Sequence, residues 1–249
     1  MLMAERQLKI INIIKEKGSV QVDTLSKELN VSKMTIRRDL EKLCEDGIVE
    51  RCHGGAVYKQ EIAYEDKLTI NKKEKENLAK ICASFIEEGN AIYLDAGTTT
   101  FEIAKRIMNT NNITVVSNDI EIARLLRNSN VNLVICGGNV QKNTGSIYGY
   151  YAMHMLENMK FDIGFFGTAA IDEQLNVMTP TVDKALLKKS IVSKCEKSFI
   201  VADKSKFNRR ALTYVNSLTD YTYIVTNYKF KEEEIEILKD CKTQIIISE

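Results

Sequence analysis

The sequence predicts an α/β protein in two parts: a small unit of three helices and a hairpin, then a three-layer α/β domain. Three observations carry this. Up to about residue 58, apolar residues recur at helical spacing in three short runs, then give way to two extended runs around a glycine pair. From about residue 71, seven short apolar strand candidates alternate with helical stretches, the pattern of a largely parallel sheet covered on both faces. Between the two, "KQEIAYEDKLTIN" is polar and weakly patterned, so residues 59–70 read as a linker joining domains 1–58 and 71–249.

The first helix is expected over about residues 4–17, with Ile10, Ile11 and Ile14 on one arc and Gly18 as its stop. The second covers about 22–29, with Val22, Leu25 and Leu29 inward. Ser32 is a good N-cap for the third, because its hydroxyl can accept an orphan backbone N–H. In that third helix Ile36, Leu40 and Leu43 share one face, and Gly47 ends it. "IVERCHGGAVY" then makes two extended runs around His53-Gly54-Gly55, a hairpin tip. In the second domain a charged amphipathic helix, "KKEKENLAKICASFIEEG", leads in. The strand candidates are "AIYLD", "ITVVS", "NLVICG", "DIGFFG", "SFIVAD", "YTYIVT" and "QIIIS", with helical stretches at 99–108, 119–128, 182–195 and 231–239.

Bulk numbers limit the classes of function. With 35 Lys and Arg against 34 Asp and Glu, the net charge is +1, so any nucleic-acid binding must rest on a local patch. "MLMAERQLKI" has charges where the apolar core of a signal peptide would lie, and no apolar run approaches a membrane span. The six cysteines are scattered with no C-x-x-C pair, and only two histidines accompany them. A zinc site or disulfide framework is not expected; a reducing cytoplasm and six small buried apolar cysteines are. No metal and no cofactor is implied.

A local patch is present. On a helical wheel the third helix turns Ile36, Leu40, Leu43 and Cys44 inward, and Lys33, Thr35, Arg37 and Arg38 outward near its N-terminal end. Asp39 and Glu41 come only afterwards. Most charge runs are solvated helix faces, and basic residues at a helix N-terminus oppose its dipole. The context favours another use. The second helix of a helix-turn-helix enters the major groove by its N-terminal residues, where Arg and Lys pair with guanine or with phosphates. A Ser32-capped third helix followed by a hairpin carrying Arg51, His53 and Gly54 makes a winged helix-turn-helix, whose wing adds backbone or minor-groove contacts. His53 reads equally well as a plain turn residue.

"VSKMTIRRDLEKLCEDGIVERCHGGA" closely resembles the DNA-binding signature of the DeoR-type bacterial transcriptional regulators. The resemblance implies a repressor, usually of a carbohydrate-utilisation operon, whose second domain senses a phosphorylated sugar.

In the larger domain "YLDAGTTT" is a strand, a glycine loop and a Thr-rich helix start. Gly97 lets backbone approach an anion, and the free N–H groups with the Thr98, Thr99 and Thr100 hydroxyls can hold phosphate oxygens. It is neither a Walker loop nor a dinucleotide fingerprint, and a Gly-Thr turn merely capping a helix is as common. Ser117-Asn118, Gly137-Gly138 and Gly167-Thr168 also follow strands, and such loops converge where open α/β folds bind ligands. "ADKSKF" adds Asp203 and Lys206, and Lys188 lies on the preceding helix; a lysine near phosphate is a compact positive charge, whereas the alternative is plain surface lysines. The DeoR-type resemblance continues here. It places Gly97 to Thr100, Ser117-Asn118, Gly137-Gly138, Lys188 and "DKSKF" in a sugar-phosphate pocket, in a domain that looks like ribose-5-phosphate isomerase. Many members carry an acidic residue about four before the helix lysine, where this chain has Lys184.

The expected function is therefore a DNA-binding repressor controlled by a phosphorylated sugar, acting as a dimer or tetramer on operator DNA and away from membranes. The alternative is a sugar-phosphate isomerase or deaminase carrying a DNA-binding module. That alternative needs an acid/base pair over the sugar. His154 falls in a helix, Asp95 either points into the pocket or orients the Gly-Thr loop, and no persuasive pair stands out, so no enzymatic activity is expected.

Overall fold

The computed structural model describes residues 2–17, 19–46, 48–52, 54–58 and 63–248. Gly18, Gly47 and His53, with residues 59–62 of the expected linker, lie outside them.

The N-terminal unit runs α1 (Met3–Lys17), β1 (Ser19–Gln21), α2 (Val22–Glu28), α3 (Lys33–Glu45), β2 (Val49–Cys52) and β3 (Gly55–Tyr58). Ile10, Ile14, Val22, Leu25, Ile36, Leu40 and Leu43 are buried together, so the faces read from helical spacing are the ones that pack. The hairpin gains a third strand that the sequence did not suggest: β1 pairs antiparallel with β3, giving the order β1-β3-β2. Gly55 makes this possible, since a Cβ there would stand 1.9 Å from the Val20 carbonyl oxygen.

The stretch expected as linker contains α4 (Tyr64–Thr69), docked on the second domain. Tyr64 is buried and meets Phe101 edge-on at 6.1 Å, and its backbone N–H donates to the Asn143 carbonyl. The order continues α5 (Lys72–Ala83), β4 (Ala91–Leu94), α6 (Thr98–Ile107), β5 (Thr114–Ser117), α7 (Ile120–Leu126), β6 (Asn132–Ile135), β7 (Asn139–Gln141), β8 (Ser146–Tyr148), α8 (Tyr150–Glu157) and β9 (Phe161–Phe166). Then come β10 (Ala170–Ile171), β11 (Asn176–Thr179), α9 (Val182–Val192), β12 (Cys195–Ala202), β13 (Thr213–Ser217), β14 (Tyr223–Thr226), α10 (Glu232–Asp240) and β15 (Gln244–Ile247). Helix α5 stops well before Gly89, because the Ser84 and Phe85 N–H groups bond three residues back and tighten the chain into turns.

All seven predicted strands form one parallel sheet, ordered β15-β14-β12-β9-β4-β5-β6. From β4 the chain steps outward through β5 and β6; from β9 it steps the other way through β12, β14 and β15. The reversal between β4 and β9 opens a crevice at their C-terminal ends. One apolar cluster, with Leu78, Ile103 and Ile122, covers one face; another, with Leu156, Leu187 and Ile191, covers the other. A small antiparallel sheet, β10-β11-β13, and a hairpin, β7-β8, complete the rim.

The cysteines are all free, but only Cys82 and Cys136 are buried; Cys52 and Cys241 are exposed, contrary to the expectation of six buried thiols. Cys52 is the last residue of β2 and Cys241 follows α10 directly, so each stands at the end of its element. Among the described residues no group of His, Cys, Asp and Glu is placed to hold a metal ion, and no helix is long and apolar enough to cross a membrane.

Candidate functional site

Two sites emerge, one on each domain. At the first, Ser32 is extended at φ −63° and its hydroxyl accepts the Thr35 N–H at 3.1 Å, the N-cap expected from sequence. The same hydroxyl lies 2.9 Å from the Thr35 hydroxyl. Arg37 and Arg38 are exposed one turn further on, opposite fully buried Ile36 and Leu40. Lys33 donates to Asp23 of α2 at 2.8 Å, with both side chains more than half exposed. Such a bond between exposed groups adds little stability. Arg51 and Gly54 are exposed on the wing, and Gly54 takes a left-handed φ of +77° that a turn demands. His53 lies outside the described residues.

Asp39 corrects the sequence picture. It is not a solvated counter-charge but a buried anchor, 2% exposed and bound by the Arg6 guanidinium of α1. The outward side of α3 therefore has no acidic residue before Glu41, and its cationic character is purer than the sequence suggests.

The second site is a cavity of about 420 Å³ over the crevice between β4 and β9. Asp95, Gly97, Thr98, Thr99, Asn118, Lys188 and Lys206 line it, as the sequence led one to expect. At its floor Lys188 donates to the Asp95 carboxylate and, at 2.8 Å, to the Gly167 carbonyl. The Asp95 carboxylate also accepts the Gly167 N–H at 3.3 Å. This buried pair ties the loops after β4 and β9 across the reversal point. It is an acid/base pair that the sequence did not reveal, because 93 residues separate its members.

Five expected residues do not line the cavity. The Thr100 hydroxyl donates to the Asp95 and Gly97 carbonyls, and the Ser117 hydroxyl to the Leu94 carbonyl, so both brace backbone. Gly137 and Gly138 follow β6, the edge strand two removed from β4. Gly138 instead admits β8, since a Cβ there would stand 2.5 Å from the Tyr148 carbonyl oxygen. Asp203 is buried behind the wall, where it accepts the Ser205 N–H and the Asn71 amide, each at 2.9 Å.

Other residues were missed. Asn71, Lys75, Ser146, Thr179, Lys184, Arg209 and Arg210 all line the cavity. They come from the α4–α5 join, α5, β8, β11, α9 and the chain before β13, none of which carries a glycine-loop signal. Lys184 also donates to the Thr144 hydroxyl at 3.3 Å. Burial and the neighbouring Lys206 charge push the Lys75 amine down to about 8. Burial pushes the Asp119 carboxyl up to about 6, although it accepts N–H groups from Glu121, Ile122 and Gly97 and so joins the α7 start to the Gly97 loop. Lys17 and Val57 of the N-terminal unit reach the cavity wall, and Arg210 lines both this cavity and a smaller one beside Gln21 and Cys52. His154 is exposed on α8, stacked on Tyr150 and far from this chemistry.

Residues 6–61 match the DeoR-like helix-turn-helix domain, and residues 70–228 match the DeoR C terminal sensor domain. The chain belongs to the DeoR family of transcriptional regulators. Among similar proteins, the HTH-type transcriptional regulator GlpR of Haloferax volcanii is 34% identical over 95% of this chain and 95% of its own. The glycerol-3-phosphate regulon repressor of Haemophilus influenzae is 30% identical over 97% and 96%. Ribose 5-phosphate isomerase A of Methanocaldococcus jannaschii shares part of the chain path, at 17% identity and a TM-score of 0.42 over 55% of each chain. In this DeoR-family chain the basic helix and the cavity thus belong to a DNA-binding domain and a sensor domain respectively.

Proposed function

We propose that this chain represses a carbohydrate-utilisation operon and that a phosphorylated sugar in the sensor cavity controls its grip on operator DNA. The observation that carries the reading is the cavity wall. Lys75, Lys188, Lys206, Arg209 and Arg210 line it together with Gly97, Thr98 and Thr99 at the amide end of α6, with Asp95 committed to Lys188. A cavity of about 420 Å³ lies within the usual range for small-molecule sites, and cations at a helix N-terminus suit a phosphate. Asn118, Thr98 and Thr99 offer polar groups beside it.

On DNA, Lys33, Thr35, Arg37 and Arg38 enter the major groove while Ser32 sets the start of the helix that carries them. Arg51, His53 and Gly54 of the wing approach the backbone. A single winged unit reads too little sequence, so the protein acts as a homo-oligomer, dimer or tetramer, on a repeated or palindromic site in the cytoplasm. Control is linkage: the effector binds the free and DNA-bound states unequally, and that difference alone shifts occupancy. Lys17, Val57 and Arg210 give it a route, since a ligand in the cavity meets residues of both domains.

A second reading, a phosphosugar isomerase, draws on the Asp95–Lys188 pair. That pair argues against it as well. The carboxylate is neutralised by the ammonium it would need to relieve, and both are held by Gly167. The Lys188 ammonium and the Gly167 N–H both bind the same oxygen, Oδ2, which is thereby occupied as a proton acceptor. The test is a mobility-shift titration of DNA upstream of the gene with a panel of phosphorylated pentoses, hexoses and ketoses. Binding that one of them alters supports the regulator; turnover of one of them by the pure protein favours the enzyme.

A further inference from the structure

Ser146 of β8 stands on the cavity wall, 1% exposed, and its hydroxyl has no hydrogen-bond partner. Among the described residues it is the one cavity-lining side chain with a buried, unpaired polar atom. Such groups destabilise a fold and are few in native proteins. The polar side chains beside it are bonded within the protein. Asn118 accepts the Tyr93 hydroxyl at 3.1 Å and the Ala96 N–H at 2.9 Å, and donates to the Ile147 carbonyl at 3.0 Å. The Thr144 hydroxyl donates to Gln141 at 3.0 Å and accepts from Lys184 at 3.3 Å.

The backbone on both sides of Ser146 is tied to the loop after β5. The Ile147 N–H donates to the Asn118 carbonyl at 2.7 Å, the Ile120 N–H donates to the Gly145 carbonyl at 3.0 Å, and Ser146 itself bridges Asp119. The cavity's Lys206, Arg209 and Arg210 follow β12 instead, three strands along the sheet from β5, a span of roughly 14 Å. A ligand that meets both sides carries a polyol body as well as an anion. A serine hydroxyl donates and accepts, and so matches a sugar hydroxyl, which does the same. We propose that Ser146 determines the specificity of the sensor cavity, its hydroxyl bonding a hydroxyl on the polyol part of the effector. This rests on the sensor reading above and narrows it: the recognised class is a phosphorylated polyhydroxy compound with a hydroxyl directed at β8, and analogues lacking that hydroxyl are rejected.

The proposal sets two effects of one substitution against each other. In the free protein, Ser146→Ala removes a buried unpaired group, so stability is unchanged or rises. In the complex it leaves the ligand hydroxyl without its partner, so affinity falls. A side chain kept for folding would lower stability.

The experiment is calorimetric titration and thermal unfolding of the full-length wild type and Ser146→Ala. The probes are the phosphosugar that raises the wild-type melting temperature most and its monodeoxy analogues. Unliganded Ser146→Ala is expected to melt at or above the wild type and to bind the phosphosugar roughly tenfold more weakly. One monodeoxy analogue is expected to bind the wild type roughly tenfold more weakly than the parent sugar does, yet to bind Ser146→Ala as tightly as the parent does. Ser146→Cys keeps the shape with a weak donor, and the same cycle in it decides where Ser146→Ala fails to fold. Unchanged affinity, as an internal water serving the hydroxyl would give, overturns this inference and leaves the sensor reading intact. So does a lowered melting temperature, or an equal loss for the parent and every analogue. If no phosphosugar binds the wild type, the sensor reading falls and this inference with it.

Discussion

Arg6 of α1 and Asp39 of α3 form a two-pronged ion pair inside the DNA-binding unit, with Nη2 donating to Oδ1 at 3.1 Å and Nε to Oδ2. Such a fork fixes the rotation of α3 about its axis, and so the direction in which Arg37 and Arg38 project. Asp39→Ala leaves a guanidinium that is only 12% exposed without its partner. The expected loss is about 2–4 kcal/mol of stability, read by urea unfolding. An Arg6→Met/Asp39→Leu double variant is expected to recover most of it while binding operator less tightly, because α3 is then held by packing alone.

The Ser32 cap is a smaller term on the same helix. Ser32→Ala is expected to cost about 1 kcal/mol, and Ser32→Gly a few tenths. Met34→Ala, at a side chain 66% exposed, sets the baseline. Equal effects at Ser32 and Met34 would show that the cap adds no stability to the helix.

Arg38 tests whether the outward face touches DNA. Arg38→Ala should weaken operator binding and lower the slope of log affinity against log salt by about 0.9, the contribution of one phosphate contact. Loss of discrimination at one base pair with an unchanged slope would instead assign Arg38 to base readout. Unchanged binding would make it a solvated side chain.

Asp95 and Lys188 test the cavity floor. Lys188→Met strands a carboxylate that is 4% exposed, with an expected cost of about 3–5 kcal/mol. Asp95→Asn/Lys188→Met removes both charges and is expected to return near wild-type stability. The double variant should still bind DNA yet respond weakly to effector, since the β4 and β9 loops are no longer tied. Thermal unfolding and DNA titration of the same samples separate the two outcomes.

Much of this was legible in the sequence. The seven sheet strands are short apolar runs, and Ile36, Leu40 and Leu43 mark the buried side of α3 by spacing alone. Strand order was not legible, and it decides which loops meet. Gly137-Gly138 follows a strand as Gly97 does, but β6 ends at the sheet edge and the cavity opens over β4 and β9. Strands of two or three residues, such as β1 and β10, carry too few alternations to show a period. Partners distant in sequence were equally hidden: a helical wheel places Asp39 on α3 without knowing that Arg6 waits opposite. Lys75 looked like one charge among many in "KKEKENLAKICASF", and only the packing of α4 and α6 around α5 buries it.

On the proposed function, sugar-phosphate binding and DNA binding share one coupling energy. The direct measurement is reciprocal titration: operator affinity with and without saturating effector, and effector affinity with and without operator. Both ratios are expected to be equal and to differ from one, by roughly 5- to 150-fold. An effector that binds tightly while leaving operator affinity unchanged would contradict it.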